Sequence, residues 1–348
     1  MRLHPQRVIF IQTAFIGDAV LLSSAIRAWK EHRSQDICDV CVRAGNEPLF
    51  AHHPDVNRVH NWAKSGRGRN RRLITLARRL HSERYDVVIN VHRHLSSGIL
   101  TWASRAKVRV GYNTHPWRWA FTHRVPHTIG DGRHEVQRML DLLMAADASF
   151  TTKRPPLPTL TPGPDDEAKA THFLAGTPHA TSPFVALAPA SQWFTKQWPA
   201  ANWRELTSRL TAAGIPVLLL GGPKDAALLA GCAADSPPAL VLQAATLPLM
   251  ASYALLAEAA VAVSNDSAPL HFASGANVPT VAVFCSTVPA FGFGPLAADQ
   301  IILQTETPLA CRPCGLHGHK ACPQGHFRCA DISVDRAYAA ISSLLKSC

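Results

Sequence analysis

Apolar residues in this chain follow two patterns, short solid runs and longer stretches in which they recur every three or four positions, and the two alternate from end to end. Solid runs bounded by polar residues predict strands buried on both faces, and the longer spacing predicts amphipathic helices. In the first half, strands are expected at 7–12, 37–43, 86–91 and 107–112, with helices over 18–31, 70–82 and 134–147. Residues 151–164, TTKRPPLPTLTPGP, hold five prolines. Each removes a backbone donor and fixes φ, so this stretch predicts an extended connector. Beyond it, strands are expected at 184–188, 215–220, 239–242, 260–264 and 279–284, with helices over 200–213, 224–233, 248–257 and 267–274 and a last one over 333–346. Alternation of this kind, occurring twice, predicts an α/β chain with two doubly wound parallel sheets. The expected domains are 1–160 and 161–332, with 333–348 as a terminal helix packing back on the first. Ligands of such sheets bind outside the carboxyl ends of the strands, so a cleft between two facing domains is the expected site.

Composition narrows the class. The 348 residues are enough for two cores, and charged residues at 17% with mean hydropathy near zero describe a soluble globular protein. The longest apolar run, Leu247 to Val263, is broken by Pro248, Ser252 and Glu258, short of a membrane span. Arg2 and Arg7 before VIFIQTAFIG imitate a signal peptide, but Gln12 and Asp18 interrupt the apolar stretch and no small-residue cleavage site follows. The expected location is cytoplasmic. The net charge of +11 lies wholly in residues 1–150, which hold 23 Lys+Arg against 12 Asp+Glu. Its densest part is Arg67, Arg69, Arg71 and Arg72, continued by Arg78, Arg79 and Arg84. Such a field attracts phosphates on nucleic acid, an anionic membrane or an acidic glycolipid; a solvated face without a partner has the same composition. The region has no RNA-binding aromatic signature, helix-turn-helix or zinc-finger spacing, which argues against nucleic acid.

Four segments carry candidate chemistry. The first, Thr13 to Asp18 (TAFIGD), joins a strand to a helix and ends in a carboxylate, not in the Lys-Ser/Thr of a phosphate loop or the glycines of a dinucleotide fingerprint. This points away from ATP hydrolysis and hydride transfer and toward an acidic group acting on substrate, although an Asp also caps helices. The second, Pro189 to Pro199, offers Ser191 and Lys196 in a small-residue loop suited to a diphosphate. The third, Gly221-Gly222-Pro223-Lys224-Asp225, permits close backbone approach with an acidic group for ribose hydroxyls; a capped turn reads the same. In the fourth, Ser264 to His271, Asp266 and Ser267 stand at a helix N-terminus that favours anions. Asp266 would repel phosphate, which assigns it a sugar hydroxyl, and His271 one turn on reads as a buried structural histidine.

Together these segments resemble glycosyltransferase family 9, the bacterial heptosyltransferases of the lipopolysaccharide inner core, nearest the heptosyltransferase II type. The resemblance is carried by Gly17-Asp18-Ala19-Val20-Leu21-Leu22-Ser23, Lys196-Gln197-Trp198-Pro199, GGP-x-D at 221–225 and NDSAPLH at 265–271. YDVVINVH at 85–92, VGY at 110–112, VPTVAVF at 278–284 and the CRPC…CPQGH…C of 311–329 extend it along the chain. It implies a GT-B fold of two Rossmann-like domains, the first binding acceptor and the second a nucleotide sugar, with inversion at the anomeric carbon and no obligatory metal or cofactor. By position, Asp18 would be the general base and Gly17 part of its turn, with His92 and Arg93 on the acceptor side. Ser191, Lys196, Asp225, Asp266, Ser267 and the Gly221-Gly222 turn would hold the donor, ADP-heptose. The partners implied are a phosphorylated glycolipid acceptor and transient contact with the cytoplasmic face of the inner membrane, with no nucleic acid. Ala268 stands where glycine is common, and Trp193-Phe194 sets an aromatic pair beside the donor loop.

Two other readings remain. One keeps the fold with another nucleotide sugar or acceptor; the other is a basic nucleic-acid-binding or scaffolding protein built on the arginine cluster. Cys311, Cys314, Cys322 and Cys329, with His317, His319 and His326 nearby, have the look of a structural zinc site, although Cys322 and Cys329 stand further apart than usual. Cys38, Cys41, Cys232 and Cys285 read as small core residues.

Overall fold

A computed structural model describes residues 4–152 and 154–346, so the expected 333–348 stretch ends in two residues outside the described ones. The chain divides into two compact units, Met1–Thr161 and Pro162–Cys348. The first contains β1 (Arg7–Gln12), α1 (Ile16–His32), β2 (Ile37–Arg43), β3 (Arg58–Trp62), α2 (Arg69–Ser82), β4 (Val87–Asn90), α3 (Leu95–Ala103), β5 (Val108–Tyr112), β6 (His123–Val125) and α4 (Glu135–Ala146). Its strands form one parallel sheet in the order β3-β2-β1-β4-β5-β6. The second contains α5 (Pro164–Leu174), β7 (Val185–Ala188), α6 (Ala200–Ala212), β8 (Val217–Leu220), α7 (Ala226–Ala233), β9 (Val241–Ala244), α8 (Leu249–Ala257), β10 (Val261–Asn265), α9 (Ala268–Ala276), β11 (Thr280–Phe284), β12 (Gln300–Gln304) and α10 (Val334–Leu345). Its parallel sheet runs β12-β11-β10-β7-β8-β9, the same winding as the first.

Central strands are buried on both faces, which is why their sequences are solid apolar runs. In the first unit Ile9, Ile11 and Val88 pack against Leu76 and Leu80 of α2 and Leu100 of α3. In the second, Val185, Val217, Val261 and Val281 meet Trp203, Leu206 and Leu210 of α6. Full burial of side chains of this size contributes roughly 1.5–3 kcal/mol each.

Three strands escape the sequence reading: β3, β6 and β12. All three lie at sheet edges. An edge strand is paired on one side only and half exposed, so β3 (RVHNW), β6 (HRV) and β12 (QIILQ) carry polar residues that hide the pattern. Helix α3 also escapes it, because LSSGILTWA is short and mixes Ser and Gly into its buried side. The connector expected to run through 164 gives way at Pro164 to α5, with proline at its first turn. The apolar face of the terminal helix, Ala337, Ala340, Ile341 and Leu344 of α10, lies in the core of the second unit with α6.

Candidate active site

In a doubly wound sheet the chains leaving the two central strands turn to opposite faces, opening a crevice at their carboxyl ends. In the first unit those strands are β1 and β4. After β1 the chain turns at Thr13, Ala14 and Phe15, and α1 starts at Ile16 with Phe15 as N-cap. Gly17 and Asp18 are therefore the second and third residues of the helix, not the end of the turn. Asp18 Oδ2 accepts the Phe15 N–H at 3.3 Å in a capping arrangement, while the Arg43 guanidinium lies 5.3 Å from the centre of the Phe15 ring. From the other side, Asn90 Oδ1 at the end of β4 accepts the His92 N–H at 3.0 Å. A 2.8 Å hydrogen bond between Thr13 Oγ1 and His92 Nδ1 then joins the two loops across the switch point, and the His92 ring stacks on His94 at 5.7 Å.

The charges at this end of the sheet are unevenly paired. Lys64, half-buried after β3, has its pKa drawn down to about 8 by burial and by Arg43 and Arg69, with Asp18 opposing the shift. Burial lowers His92 to about 3 and His115 to about 4, and it lowers His94 as well, with Lys64 and Arg93 among the cations that assist. These imidazoles are neutral at pH 7. Here the Asp18 carboxylate stands among the cations Lys64, Arg43, Arg69 and Arg93. That arrangement suits a substrate that carries phosphate and offers a hydroxyl. Not every arginine of the basic cluster is available to a ligand. Arg72 donates to the carbonyls of Ser65 (2.6 Å), Arg67 (2.7 Å) and Ala63 (3.4 Å), and so shapes the loop around Lys64. Lys64 itself was not legible, because the arginines beside it carry the same charge signal more densely.

The second unit repeats the construction at β7 and β10. Asn265, the last residue of β10, is buried and uses its amide to set the opposite loop. Its Nδ2 donates to Pro189 O at 2.7 Å and its Oδ1 accepts the Trp198 N–H at 3.0 Å. Between those anchors the loop carries Ser191 and Lys196. Gln197 Nε2 donates to Ser191 O at 2.6 Å. Lys196 Nζ lies 2.7 Å from Asp266 Oδ2, with side-chain exposures of 15% and 8%. Thr287, just beyond β11, donates to the same oxygen at 2.6 Å. Ser267 caps α9, and its Oγ lies 3.4 Å from Ser264 Oγ. The structure thus couples two residues the sequence treated separately: the Asp266 carboxylate neutralises Lys196 directly. Asp225 is used differently. Its Oδ2 accepts the Gly222 N–H at 2.8 Å and its own N–H donates to Gly222 O at 2.8 Å, closing the Gly221-Gly222 turn before α7.

The cysteine-rich segment forms a wall of this second site. Thr195 and His319 exchange backbone and hydroxyl hydrogen bonds, with the His319 N–H donating to Thr195 Oγ1 at 2.7 Å and the Thr195 N–H to His319 O at 3.1 Å. Gly318 between them has φ +74°, and a Cβ there would fall 2.9 Å from Thr195 Oγ1 and 3.2 Å from Lys196 Cγ. Only glycine permits that approach. Arg312 fastens the segment to the end of β11 by donating to Cys285 O (2.7 Å), Thr287 O (2.8 Å) and Gln304 Oε1 (2.7 Å). Among the described residues no group of three or more His, Cys, Asp or Glu side chains is arranged to hold a metal ion. Cys329 is buried in the hydrophobic core, while backbone N–H groups of Phe327 and its neighbours lower the Cys322 thiol. Cys38, Cys41, Cys232 and Cys285 are buried thiols.

The sequence model of glycosyltransferase family 9 (heptosyltransferase) matches residues 73–319, a span that takes in Lys196, Asp266 and the Gly318 loop. Lipopolysaccharide heptosyltransferase 1 of Pseudomonas aeruginosa is 30% identical over 323 residues, covering 88% of this chain and 86% of that protein. Escherichia coli ADP-heptose lps heptosyltransferase II shares the fold with a TM-score of 0.81 at 21% identity, over 98% of this chain and 99% of its own. E. coli heptosyltransferase WaaC with ADP does so with a TM-score of 0.73 at 21% identity, over 97% and 99%. The twin parallel sheets are those of the GT-B class, and the chain belongs to glycosyltransferase family 9 as a glycosyltransferase enzyme.

Proposed function

We propose that this enzyme transfers a heptose from ADP-heptose to the phosphorylated inner core of lipopolysaccharide, with inversion at the anomeric carbon. In this reading it works as a peripheral protein at the cytoplasmic face of the inner membrane. The observation that carries the reading is the pair of switch points: one holds the carboxylate Asp18 among Lys64, Arg43, Arg69 and Arg93, the other a lysine in a loop before a helix N-terminus. The first suits a phosphorylated acceptor and the second a nucleoside diphosphate. The names of the relatives, which include ADP-heptose and ADP, support the donor.

The acceptor hydroxyl attacks the anomeric carbon as the bond to the diphosphate oxygen breaks, and its proton passes to Asp18. Lys196 moves from Asp266 to the diphosphate and offsets its charge as ADP leaves, with Ser267 and Ser191 as hydroxyl ligands. Asp266, released from Lys196, accepts from a sugar hydroxyl, and Asp225 stands near the ribose. As the third residue of α1, accepting a backbone N–H, Asp18 is a weak base, so proton transfer is late, after the sugar has developed oxocarbenium character. Stacked with His94 and neutral, His92 lines the acceptor side beside Arg93.

A panel of nucleotide sugars, read by nucleotide release and by mass of the acceptor, tests the reading. ADP-heptose with an inner-core acceptor should be turned over fastest. Preference for another nucleotide sugar or acceptor would move the enzyme elsewhere in the family. Turnover of none, with steeply salt-dependent oligonucleotide binding, would replace transfer by nucleic-acid binding.

A further inference from the structure

Helix α3 starts beside the acceptor-side histidines and ends in an unusual surface. Trp102 near its C-terminus is 55% exposed, and Trp119, in the one-turn 3-10 helix Arg118–Ala120, is 58% exposed. Their ring centres lie 6.5 Å apart, and Trp117 lies 4.7 Å from Trp119. Leu95, two helical turns before Trp102 and so on the same stripe of α3, is 44% exposed. Exposed tryptophans in mutual contact cannot be explained by a core, because each leaves more than half its surface in water.

The platform is rigidly built. A Cβ on Gly98 would fall 2.6 Å from the His115 ring and 2.7 Å from Trp117 Cβ, so this position lets the Trp117 loop lie directly on α3. His115 Nδ1 accepts the Trp117 N–H at 2.8 Å, and Arg109 donates to Ala106 O at 2.5 Å and Ala120 O at 2.7 Å, tying the end of α3 to the loop. Its charge has one sign. Residues 87–130 contain six Lys and Arg and no Asp or Glu, with Arg105, Lys107 and Arg118 exposed.

We propose that the Trp102–Trp117–Trp119 platform docks this enzyme on an anionic bilayer, the indoles entering the headgroup region and the flanking Arg and Lys meeting lipid phosphates. Tryptophan is the side chain best suited to that boundary, with an apolar body and one N–H donor, and a basic rim strengthens binding to anionic lipid. The choice of a bilayer over a soluble polyanion rests on the lipid-borne acceptor of the proposed function. Helix α3 links the two features: eight steps of about 1.5 Å each place Trp102 about 12 Å along the helix from His94. Docking there holds the Asp18 site close to the surface from which such an acceptor projects.

The test uses the full-length protein and vesicles of phosphatidylcholine with or without about one third phosphatidylglycerol. The wild type should co-sediment with the anionic vesicles, weakly with neutral ones and less as salt rises. Trp102→Ser with Trp119→Ser should lower the partition coefficient roughly tenfold or more at unchanged circular dichroism and melting temperature. Arg105→Gln with Arg118→Gln should lower it less and flatten the salt dependence. Transfer to a water-soluble, deacylated acceptor should be unchanged in the Trp variant, and transfer to acceptor embedded in vesicles should fall with the partition coefficient. Wild-type protein that ignores anionic vesicles, or a Trp variant that binds them as well as wild type, overturns the docking. Wild-type protein that docks through the tryptophans yet transfers sugar to neither acceptor leaves the docking standing and removes the transfer reading.

Discussion

Replacing Lys196 by Met tests the second site most directly, because one substitution has separable effects on stability and on ligand binding. The ammonium sits 2.7 Å from Asp266 Oδ2, with 15% and 8% of the two side chains exposed. Removing one member of a fully buried pair costs about 3–5 kcal/mol, because the other charge is stranded. Here Lys196 is not fully buried and Thr287 still donates to the stranded oxygen, so a loss of about 2 kcal/mol is expected. For a unit of this size that lowers the melting temperature by roughly 4–8 °C. Adding Asp266→Asn removes the stranded charge, and the double variant should recover about 1 kcal/mol relative to Lys196→Met alone. Binding behaves differently. Calorimetry should show Lys196→Met weakening ADP about 10–100-fold. Asp266→Asn, which removes the competitor for Lys196, should bind ADP at least as tightly as wild type while losing affinity for the intact nucleotide sugar. If Lys196→Met leaves ADP affinity unchanged, the lysine is structural. If Asp266→Asn weakens ADP as much as Lys196→Met does, the exchange of partners is wrong.

Three other outcomes follow from the same geometry. Asp18→Asn should reduce kcat by about two to four orders of magnitude with donor affinity intact, and near-normal turnover would remove Asp18 as base. Lys64 loses its proton as pH rises through about 8, so the KM for a phosphorylated acceptor should climb above that pH. Lys64→Arg should move the climb to higher pH, and an unchanged profile would take Lys64 out of the acceptor site. Gly318→Ala puts a methyl group 2.9 Å from Thr195 Oγ1 at φ +74°, so donor affinity should fall with a loss of about 1–2 kcal/mol in stability. An unperturbed Gly318→Ala enzyme would show that the loop does not bear on Lys196.

The central strands and the long helices were legible because each obeys a single burial rule over its whole length. The runs VIFI and VVI in the first unit, and VLLL and VAVF in the second, are covered on both faces, so every position is apolar. Asp18, Lys196 and Asp266 were likewise legible as candidates, since polar groups in the segments that follow solid runs lie near the carboxyl ends of parallel strands. The edge strands β3, β6 and β12 were not, because an edge satisfies its backbone with water on one side and tolerates any side chain there. Tertiary structure alone decided which polar groups meet. Pairing β1 with β4 brings Thr13 onto His92, 79 residues away, and placing β10 beside β7 and β11 brings Lys196 and Thr287 onto Asp266. The hydrophobic pattern specifies which segments are strands but not their order in the sheet, and only that order creates the two switch points. The same holds for Trp102, Trp117 and Trp119. A hydrophobicity pattern assigns tryptophans to a core, and only the packed fold leaves two of them facing water.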